Sequence, residues 1–395
     1  MVESIVTFLL TYKYIILFYL FVALFLFIRR QKLDVQAKVI LLYRMKLGLA
    51  WMDHFAKKFR EWVILLGYIG VGAGYIGLVF ISYILIRNLV DLFTKPEAIS
   101  GVSLVLPGVN VPGLGVLPFW YWILAIFVIA LVHEFAHGIV ARAHTIEVKN
   151  TGLVFFGPIL GAFVEPNEKK LRGEKDIVQY SVLAAGSFAN ILLAFVAIAL
   201  LSFVFTPLQE KMVVSTGFTF EEYVNPDLPF AQAGIAPQTL ITGLNGVSTK
   251  NFQEFSEELQ QYRPGQEVTV MTKGKEYTLA LAKNPDNPKK PYLGIKNIKN
   301  ELETKEKYAV GGWSVFYFLI EWLQGFFRWL FLLSLGIGLF NLLPLPIVDG
   351  GRMAQVLCHK VKGPEQGEKR YRQISLLFLL ILVLNLLFPL ITKLF

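Results

Sequence analysis

The sequence predicts a polytopic α-helical membrane protein with about six transmembrane helices and one small inserted α+β soluble domain. Of its 395 residues, 55 % are hydrophobic and only 17 % are charged, and the mean hydropathy is +0.54. Several apolar runs reach the length of about 20 residues that one helical crossing of a bilayer requires. A single long polar stretch separates the fourth run from the fifth.

Six uncharged or nearly uncharged runs account for the predicted crossings. The first has no basic region before it and no small-residue cleavage site after it. We therefore interpret it as a transmembrane helix rather than as a removable signal peptide. The six runs are Ile5–Ile28, Val63–Ile86, Leu117–Val140, Ser181–Phe205, Trp313–Phe340 and Ile374–Leu394.

The basic residues indicate the orientation of these runs. Residues 29–60 carry nine Lys and Arg, whereas residues 88–116 carry only Lys95. By the positive-inside rule the first loop is cytoplasmic and the second is external. Continued alternation places residues 141–180 and 344–370 inside and residues 206–312 outside. The lack of disulfides and organelle signals favours a prokaryotic plasma membrane.

The net charge and the cysteine content limit the classes of partner and of metal site. The net charge of +9 does not indicate nucleic acid, because the basic residues flank apolar runs and no nucleic-acid-binding motif accompanies them. The lipid bilayer is the predicted partner instead. The single cysteine, Cys358, excludes intrachain disulfides and cysteine-rich metal clusters, so any metal must use histidine and carboxylate ligands.

The inner end of the third run carries His133-Glu134-Phe135-Ala136-His137, a match to H-E-x-x-H on a helix. Residues i and i+4 lie on one helical face about 6 Å apart, so both imidazoles can bind one ion while Glu134 stays free to act as a general base. Ionisable residues within a crossing are costly and usually functional. Counting about 1.5 Å per residue places this motif in the cytoplasmic third of the bilayer.

A catalytic zinc needs a third protein ligand and one open position. His144 lies seven residues beyond His137, roughly 10 Å along a continued helix, which is too far to share the ion. Glu147, Glu165 and Glu168 become candidates if their loop folds back, but their charged segment is more simply interpreted as solvated.

Asp349 is the better candidate for the third ligand. The fifth run ends in NLLPLPIVDGG, Asn341 to Gly351, where two prolines are expected to stop the helix and two glycines to free the backbone after the carboxylate. Such a break belongs in a membrane only where it lines a cavity. The predicted topology places it in the same leaflet as the H-E-x-x-H turn.

The motifs HEFAH and NLLPLPIVDGG resemble those of the site-2 protease family of intramembrane zinc metalloproteases. Val348 stands where this family often has Leu. Looser likeness extends to Gly157 in a fold-back segment after the third run and to AAGSFAN, Ala184 to Asn190. The resemblance spans roughly residues 117–351.

This resemblance implies an endopeptidase that cleaves peptide bonds in or near the transmembrane helices of membrane proteins, the reaction of regulated intramembrane proteolysis. It implies one Zn²⁺ per chain, held by His133, His137 and Asp349, and a water molecule activated by Glu134. Asn341 matches an asparagine thought to position the substrate or to polarise its carbonyl group.

Two further features are left open. For Asn190, a direct role in the reaction is the less favoured interpretation. In the fold-back segment Gly157 and Gly161 bracket Pro158, and we interpret this segment as a strand edge for an unwound substrate.

The polar stretch between the fourth and fifth runs resembles a PDZ domain. The likeness lies in residues 225–259 and in two alternating strand patterns, residues 267–271 and 277–281. Asn245-Gly246 between apolar stretches predicts a hairpin turn. The resemblance implies contact with the substrate or with a regulatory peptide, although no carboxylate-binding loop can be identified and an inert insertion remains an alternative.

Together these features predict five regions. They are an N-terminal two-helix membrane region with a cytoplasmic loop (1–116), a first part of the catalytic membrane core (117–205), an extracytoplasmic PDZ-like domain (206–312), a second part of the core (313–351), and a cytoplasmic loop with the last helix (352–395).

Two other functions compete with proteolysis. A catalytically silent membrane scaffold would bind peptides through the PDZ-like domain, but no member of the expected catalytic set is missing. A metal transporter would carry acidic or histidine residues in several crossings, and the runs do not show them.

Overall fold

The structure is a computed structural model. It describes residues 12–36, 39–95, 101–102, 105–108, 110–111, 115–156 and 159–391. The chain divides into two compact units, Met1–Leu201 with Gly325–Phe395, and Ser202–Gln324. The boundaries of the five predicted regions stay predictions.

The first part of the chain alternates long helices with short strands. In chain order its elements are α1 Lys13–Arg29, β1 Leu33–Gln36, β2 Ile40–Met45, α2 Leu49–Lys58, α3 Arg60–Thr94, β3 Asn110–Val111, β4 Gly115–Val116, α4 Phe119–Ala143, β5 Val148–Phe156, β6 Ile159–Pro166, α5 Glu168–Gly173 and α6 Asp176–Leu200.

The second part begins after one π-helical turn, Leu201–Phe205. Its elements are α7 Thr206–Met212, β7 Val213–Tyr223, α8 Pro229–Gln232, β8 Ile241–Leu244, β9 Val247–Ser248, α9 Phe252–Leu259, β10 Glu267–Thr272, β11 Glu276–Ala280, β12 Ala282–Lys283, β13 Pro291–Tyr292, β14 Ile295–Thr304, α10 Glu306–Ala309, α11 Gly311–Phe340, α12 Asp349–Lys362 and α13 Pro364–Ile391.

Among the described residues, six helical segments are long and apolar enough to cross a membrane: α1, α3, α4, α6 with its continuation to Met212, α11 and α13. They coincide with the six predicted runs, although residues 5–11 and 392–394 of those runs lie outside the described residues. Helix α13 begins ten residues before the apolar run, because the polar residues of that stretch are good helix formers and proline is favoured in the first turn.

Helix α3 contains five glycines. Gly67, Gly70, Gly74 and Gly77 are buried, and a Cβ atom at each would press against a side chain of a neighbouring segment, Ser181 and Phe188 among them. Gly72 differs, since a Cβ atom there would meet nothing within 4 Å. Four of the five glycines therefore allow α3 to pack closely against its neighbours.

A four-stranded antiparallel sheet lies in the first unit, in the order β1-β2-β5-β6. The fold-back segment supplies β5 and β6, whereas β1 and β2 come from residues 33–45, which were predicted only as a loop. The sequence of β2, Ile-Leu-Leu-Tyr-Arg-Met, shows no two-residue alternation of apolar and polar side chains. This pattern matches its environment, since every residue of the strand is half-buried. The missing alternation explains why the strand escaped prediction. Gly157 and Pro158 lie outside the described residues.

The second unit is small and of the α+β class, as predicted. Its main sheet has the order β11-β10-β8-β7-β14, with β9 paired to β8. Asn245 and Gly246 have φ angles of 47° and 82° and join Leu244 to its partner Val247, which confirms the predicted hairpin. The core includes four fully buried phenylalanines, Phe218, Phe220, Phe230 and Phe255.

The core of the first unit brings the two motif segments together. One cluster joins Leu183 and Ala184 of α6 to Leu342 and to Met353 of α12. A second cluster packs Met52 of α2 against the inner end of α4 and the beginning of α6. Helices α4, α6 and α12 therefore converge where H-E-x-x-H and the aspartate segment were predicted to meet.

Candidate metal centre

Three side chains point their donor atoms at one position. The Nε2 atoms of His133 and His137 are 3.1 Å apart, and Oδ2 of Asp349 lies 3.1 and 3.2 Å from them. Tetrahedral zinc, with bonds of about 2.0–2.1 Å, holds its ligand atoms about 3.3–3.4 Å apart. Two imidazoles and one carboxylate therefore fit a zinc ion with a fourth position left for another ligand.

The hydrogen bonds behind both imidazoles suit this use. Nδ1–H of His137 donates to the backbone oxygen of Val182 at 2.7 Å, which leaves the lone pair of Nε2 for a metal. Nδ1 of His133 lies 3.1 Å from the side-chain amide of Asn190. The amide atom that faces Nδ1 is Nδ2. If Nε2 binds a metal, Nδ1 would carry the proton, and the amide of Asn190 would turn by 180° so that its oxygen accepts that proton.

Helix α6 forms the back of the site because small residues let it approach α4. Residues 184–187, Ala-Ala-Gly-Ser, are all buried. A Cβ atom on Gly186 would lie 2.6 Å from Cε1 and Nε2 of His133 and would also overlap Nε2 of His137. The absence of a side chain at Gly186 is therefore a requirement of the ligand geometry.

Replacing Gly186 with alanine is expected to lower zinc affinity by about 10–100-fold, the loss typical of a disturbed ligand environment. The added methyl group would displace both imidazoles, whereas helix formation itself would improve. Competition with a chromophoric chelator measures the change. Gly72→Ala is the matched control, because its Cβ atom meets nothing within 4 Å; equal zinc affinity in both variants would contradict the assignment.

Glu134 lies beside the donor atoms but outside the ligand group. Its Oε2 accepts the backbone N–H of Val164, in strand β6, at 2.7 Å. That bond holds the carboxylate against the sheet and leaves Oε1 available for a proton. Glu134 thus links the helix that carries the histidines to the edge of the fold-back strand.

Asp349 occupies the first position of α12, where the helix dipole favours a carboxylate. The interpretation of the following glycines as a freed backbone was wrong, since Gly350 and Gly351 are helical. A Cβ atom on either would overlap the backbone, that of Leu342 for Gly350 and that of Leu345 for Gly351. These glycines permit the tight turn that folds α12 back onto the end of α11.

Asn341 immediately follows α11 and borders the same cavity as the three ligands. Its backbone oxygen accepts the N–H of Gly350 at 2.8 Å, so the end of α11 and the start of α12 are tied together. Helix α11 ends at Phe340, four residues before Pro344. This agrees with the predicted stop, because a proline cannot donate the hydrogen bond to the carbonyl four residues before it and its ring clashes with that carbonyl.

The cavity beside the ligands has a volume of about 440 Å³. Its lining combines the ligands with apolar residues of α4 and α11 and with residues of β6. Arg352 at its border donates two hydrogen bonds, at 2.9 and 2.8 Å, to the carboxylate of Glu168. This pair joins α12 to the segment after β6.

The rejected ligand candidates lie elsewhere. Among the described residues, one group of three potential metal ligands forms, and it contains none of His144, Glu147, Glu165 and Glu168. Glu165 accepts hydrogen bonds from Asn150 and Arg44, and these two partners hold the pKa of its carboxyl group below the usual value. It is therefore engaged in the sheet rather than simply solvated.

Sequence reasoning gave too little weight to Asn190. Its side chain is fully buried, and its backbone oxygen accepts a hydrogen bond of 2.7 Å from the hydroxyl of Ser334 in α11. The available signal was an amide placed four residues after Gly186 in the small-residue run of α6, the spacing that puts both on one helical face.

Comparison with known proteins identifies a family and several relatives. Residues 121–384 match peptidase family M50. An uncharacterized protein of Methanocaldococcus jannaschii is 28 % identical over 313 residues, which are 78 % of this chain and 74 % of that protein. A Fusobacterium nucleatum protein, named as a candidate zinc metalloprotease, is 25 % identical over 308 residues, 64 % of this chain and 87 % of that protein.

One solved structure is also similar to part of the chain. The PDZ domain of an SdrC-like protein from Listeria monocytogenes is 23 % identical and covers 20 % of this chain and 86 % of that domain, with a TM-score of 0.19.

Proposed function

Since the chain belongs to peptidase family M50, we propose that it is an intramembrane zinc metalloendopeptidase of the site-2 type, which hydrolyses peptide bonds in or near transmembrane segments of membrane proteins. The observation that carries this proposal is the convergence of His133, His137 and Asp349 within 3.2 Å of one another. Glu134 beside them supplies the base, and six apolar helices supply the membrane setting.

The chemistry follows from the donor set and from Glu134. When bound, zinc supplies Lewis acidity to the scissile carbonyl group and to the attacking water. Glu134 removes a proton from that water and delivers it to the leaving amine. The N–H of Val164 orients the carboxylate during both transfers, and Asn341 lines the cavity where the carbonyl group of the substrate would lie.

The substrate backbone would join the sheet at β6, which is an edge strand. Val164 lies opposite Thr151 of β5, yet its N–H points to Glu134. By the alternation of antiparallel pairs, Ala162 and Leu160 also direct their backbone groups away from β5. A segment of a substrate helix that unwinds loses its internal backbone hydrogen bonds. The outward backbone groups of β6 would replace them, next to the general base Glu134.

The membrane and the second unit complete the proposal. The basic loops support a site near the cytoplasmic side of the membrane, which we propose to be a prokaryotic plasma membrane. The second unit, on the outer side, would contact the substrate or a regulatory peptide, and β14 at the edge of its sheet is the strand to which such a peptide would add.

The test uses the full chain in lipid nanodiscs with a co-reconstituted single-span membrane protein. We expect cleavage that a chelator abolishes and that added Zn²⁺ restores. A zinc-loaded chain that leaves a broad panel of single-span proteins intact, yet binds peptides through its second unit, would establish the scaffold function instead.

Asn190 is proposed as a positioning residue for His133. Asn190→Leu is expected to lower zinc affinity by about 10–100-fold, whereas Asn190→Asp keeps an acceptor for Nδ1–H and should restore part of the loss. The matched control is Asn385→Leu, which removes a buried asparagine of α13 that donates to backbone oxygens. Unchanged zinc affinity in Asn190→Leu would contradict this role.

A further inference from the structure

A second cavity, of about 530 Å³, adjoins the metal cavity. Its walls come from α1, α4 and the sheet, and they are apolar apart from Glu134, Thr151 and the indole of Trp122. The hydroxyl of Thr151 donates to the backbone oxygen of Leu47 at 2.7 Å. Its proton is therefore already used within the protein and does not require a polar ligand. The volume lies within the range of about 300–1,000 Å³ found for ligand pockets.

The two cavities share one wall. Ile126, Ala130 and Glu134 of α4, together with residues 161–164 of β6, border both of them. The general base and the edge strand proposed for the substrate therefore lie between the metal ligands on one side and an apolar chamber on the other.

We propose that this chamber receives a bulky aliphatic or aromatic side chain of the substrate, from a residue next to the peptide bond that is cleaved. The inference rests on the proposed proteolytic function and adds the class of substrate to it. Side chains of an added strand point alternately to the two faces of the sheet, so every second residue of the bound segment can enter the chamber while its backbone pairs with β6.

A lipid chain fits the same chamber less well. Glu134 and the outward backbone groups of Ala162 and Leu160 need hydrogen-bonding partners, and hydrocarbon offers none. An extended peptide supplies both the polar backbone and the apolar side chain. Continuity with the metal cavity thus favours the substrate as the occupant.

The test measures kcat/KM for a series of substrates that carry Ala, Leu or Phe at each position within three residues of the cleavage site. We expect one position at which Leu or Phe exceeds Ala by about 10–200-fold, the discrimination that a hydrophobic pocket gives. In Leu131→Trp, which fills part of the chamber, kcat/KM for the Leu and Phe substrates should fall at least about tenfold relative to kcat/KM for the Ala substrate.

Leu192→Trp is the matched control, because Leu192 of α6 is 42 % exposed against 41 % for Leu131 and does not line either cavity. Equal kcat/KM for the three residues at every position, or a preference that Leu131→Trp leaves unchanged, would overturn the proposal. A preference that follows the acyl-chain length of the nanodisc lipid would assign the chamber to lipid. No cleavage by the zinc-loaded chain would overturn the proposed function itself.

Discussion

Replacing Glu134 with glutamine is expected to lower the rate of peptide-bond cleavage by about 10²–10⁴-fold, the usual contribution of a general base. Glutamine has the same shape and its side-chain oxygen can still accept the N–H of Val164, but it cannot take a proton from water. Because Glu134 is not among the ligand atoms, zinc should remain at about one ion per chain. Single-turnover cleavage and metal analysis of the same preparation measure both quantities.

A control for the loss of one negative charge is Glu147→Gln. Glu147 is exposed, and it follows α4 by four residues, so the substitution should leave the cleavage rate unchanged. A Glu134→Gln variant that cleaves at the rate of the natural chain would show that another group acts as the base.

Replacing Asp349 with alanine is expected to reduce bound zinc from about one ion per chain to nearly none after dialysis, and to abolish cleavage. Two imidazoles remain in this variant, and two protein ligands fall short of the three that catalytic zinc sites use. The aspartate is also the sole negative charge in the ligand group, so its loss removes the attraction for a dication.

Structural damage is the alternative cause of such a loss. Asp349→Asn keeps the size of the side chain and one oxygen, and it should bind zinc more weakly than the natural chain but better than the alanine variant. Asp286→Ala, in the bend between β12 and β13 of the second unit, controls for the general loss of an aspartate. Full zinc occupancy in Asp349→Ala would show that residue 349 is not a ligand.

Much of the site was predictable because its information is local. Residues i and i+4 of one helix must share a face, so HEFAH alone defines the two imidazoles and the base. Asp349 was inferred from chain breakers at a matching depth, and the structure brings it to the histidines. The physical reason offered for its glycines was wrong, since sequence cannot distinguish a glycine needed for backbone freedom from one needed for close contact.

Features that depend on contacts between distant segments escaped prediction. The hairpin of residues 33–45 pairs with β5, which lies more than a hundred residues later in the chain. No local sequence pattern indicates that pairing. The contact between Asn190 and His133 joins residues 57 positions apart. Orientation in the membrane, by contrast, stays a prediction, because loop charge is its only support.

The order of the ligands along the chain has a consequence for biogenesis. His133 and His137 leave the ribosome early, but Asp349 follows only after α6, the whole second unit and α11. A nascent chain that has inserted its first four crossings therefore has two ligands and no complete binding set. With the proposed activity, the chain would therefore be unable to hydrolyse a peptide bond until its own synthesis is nearly finished.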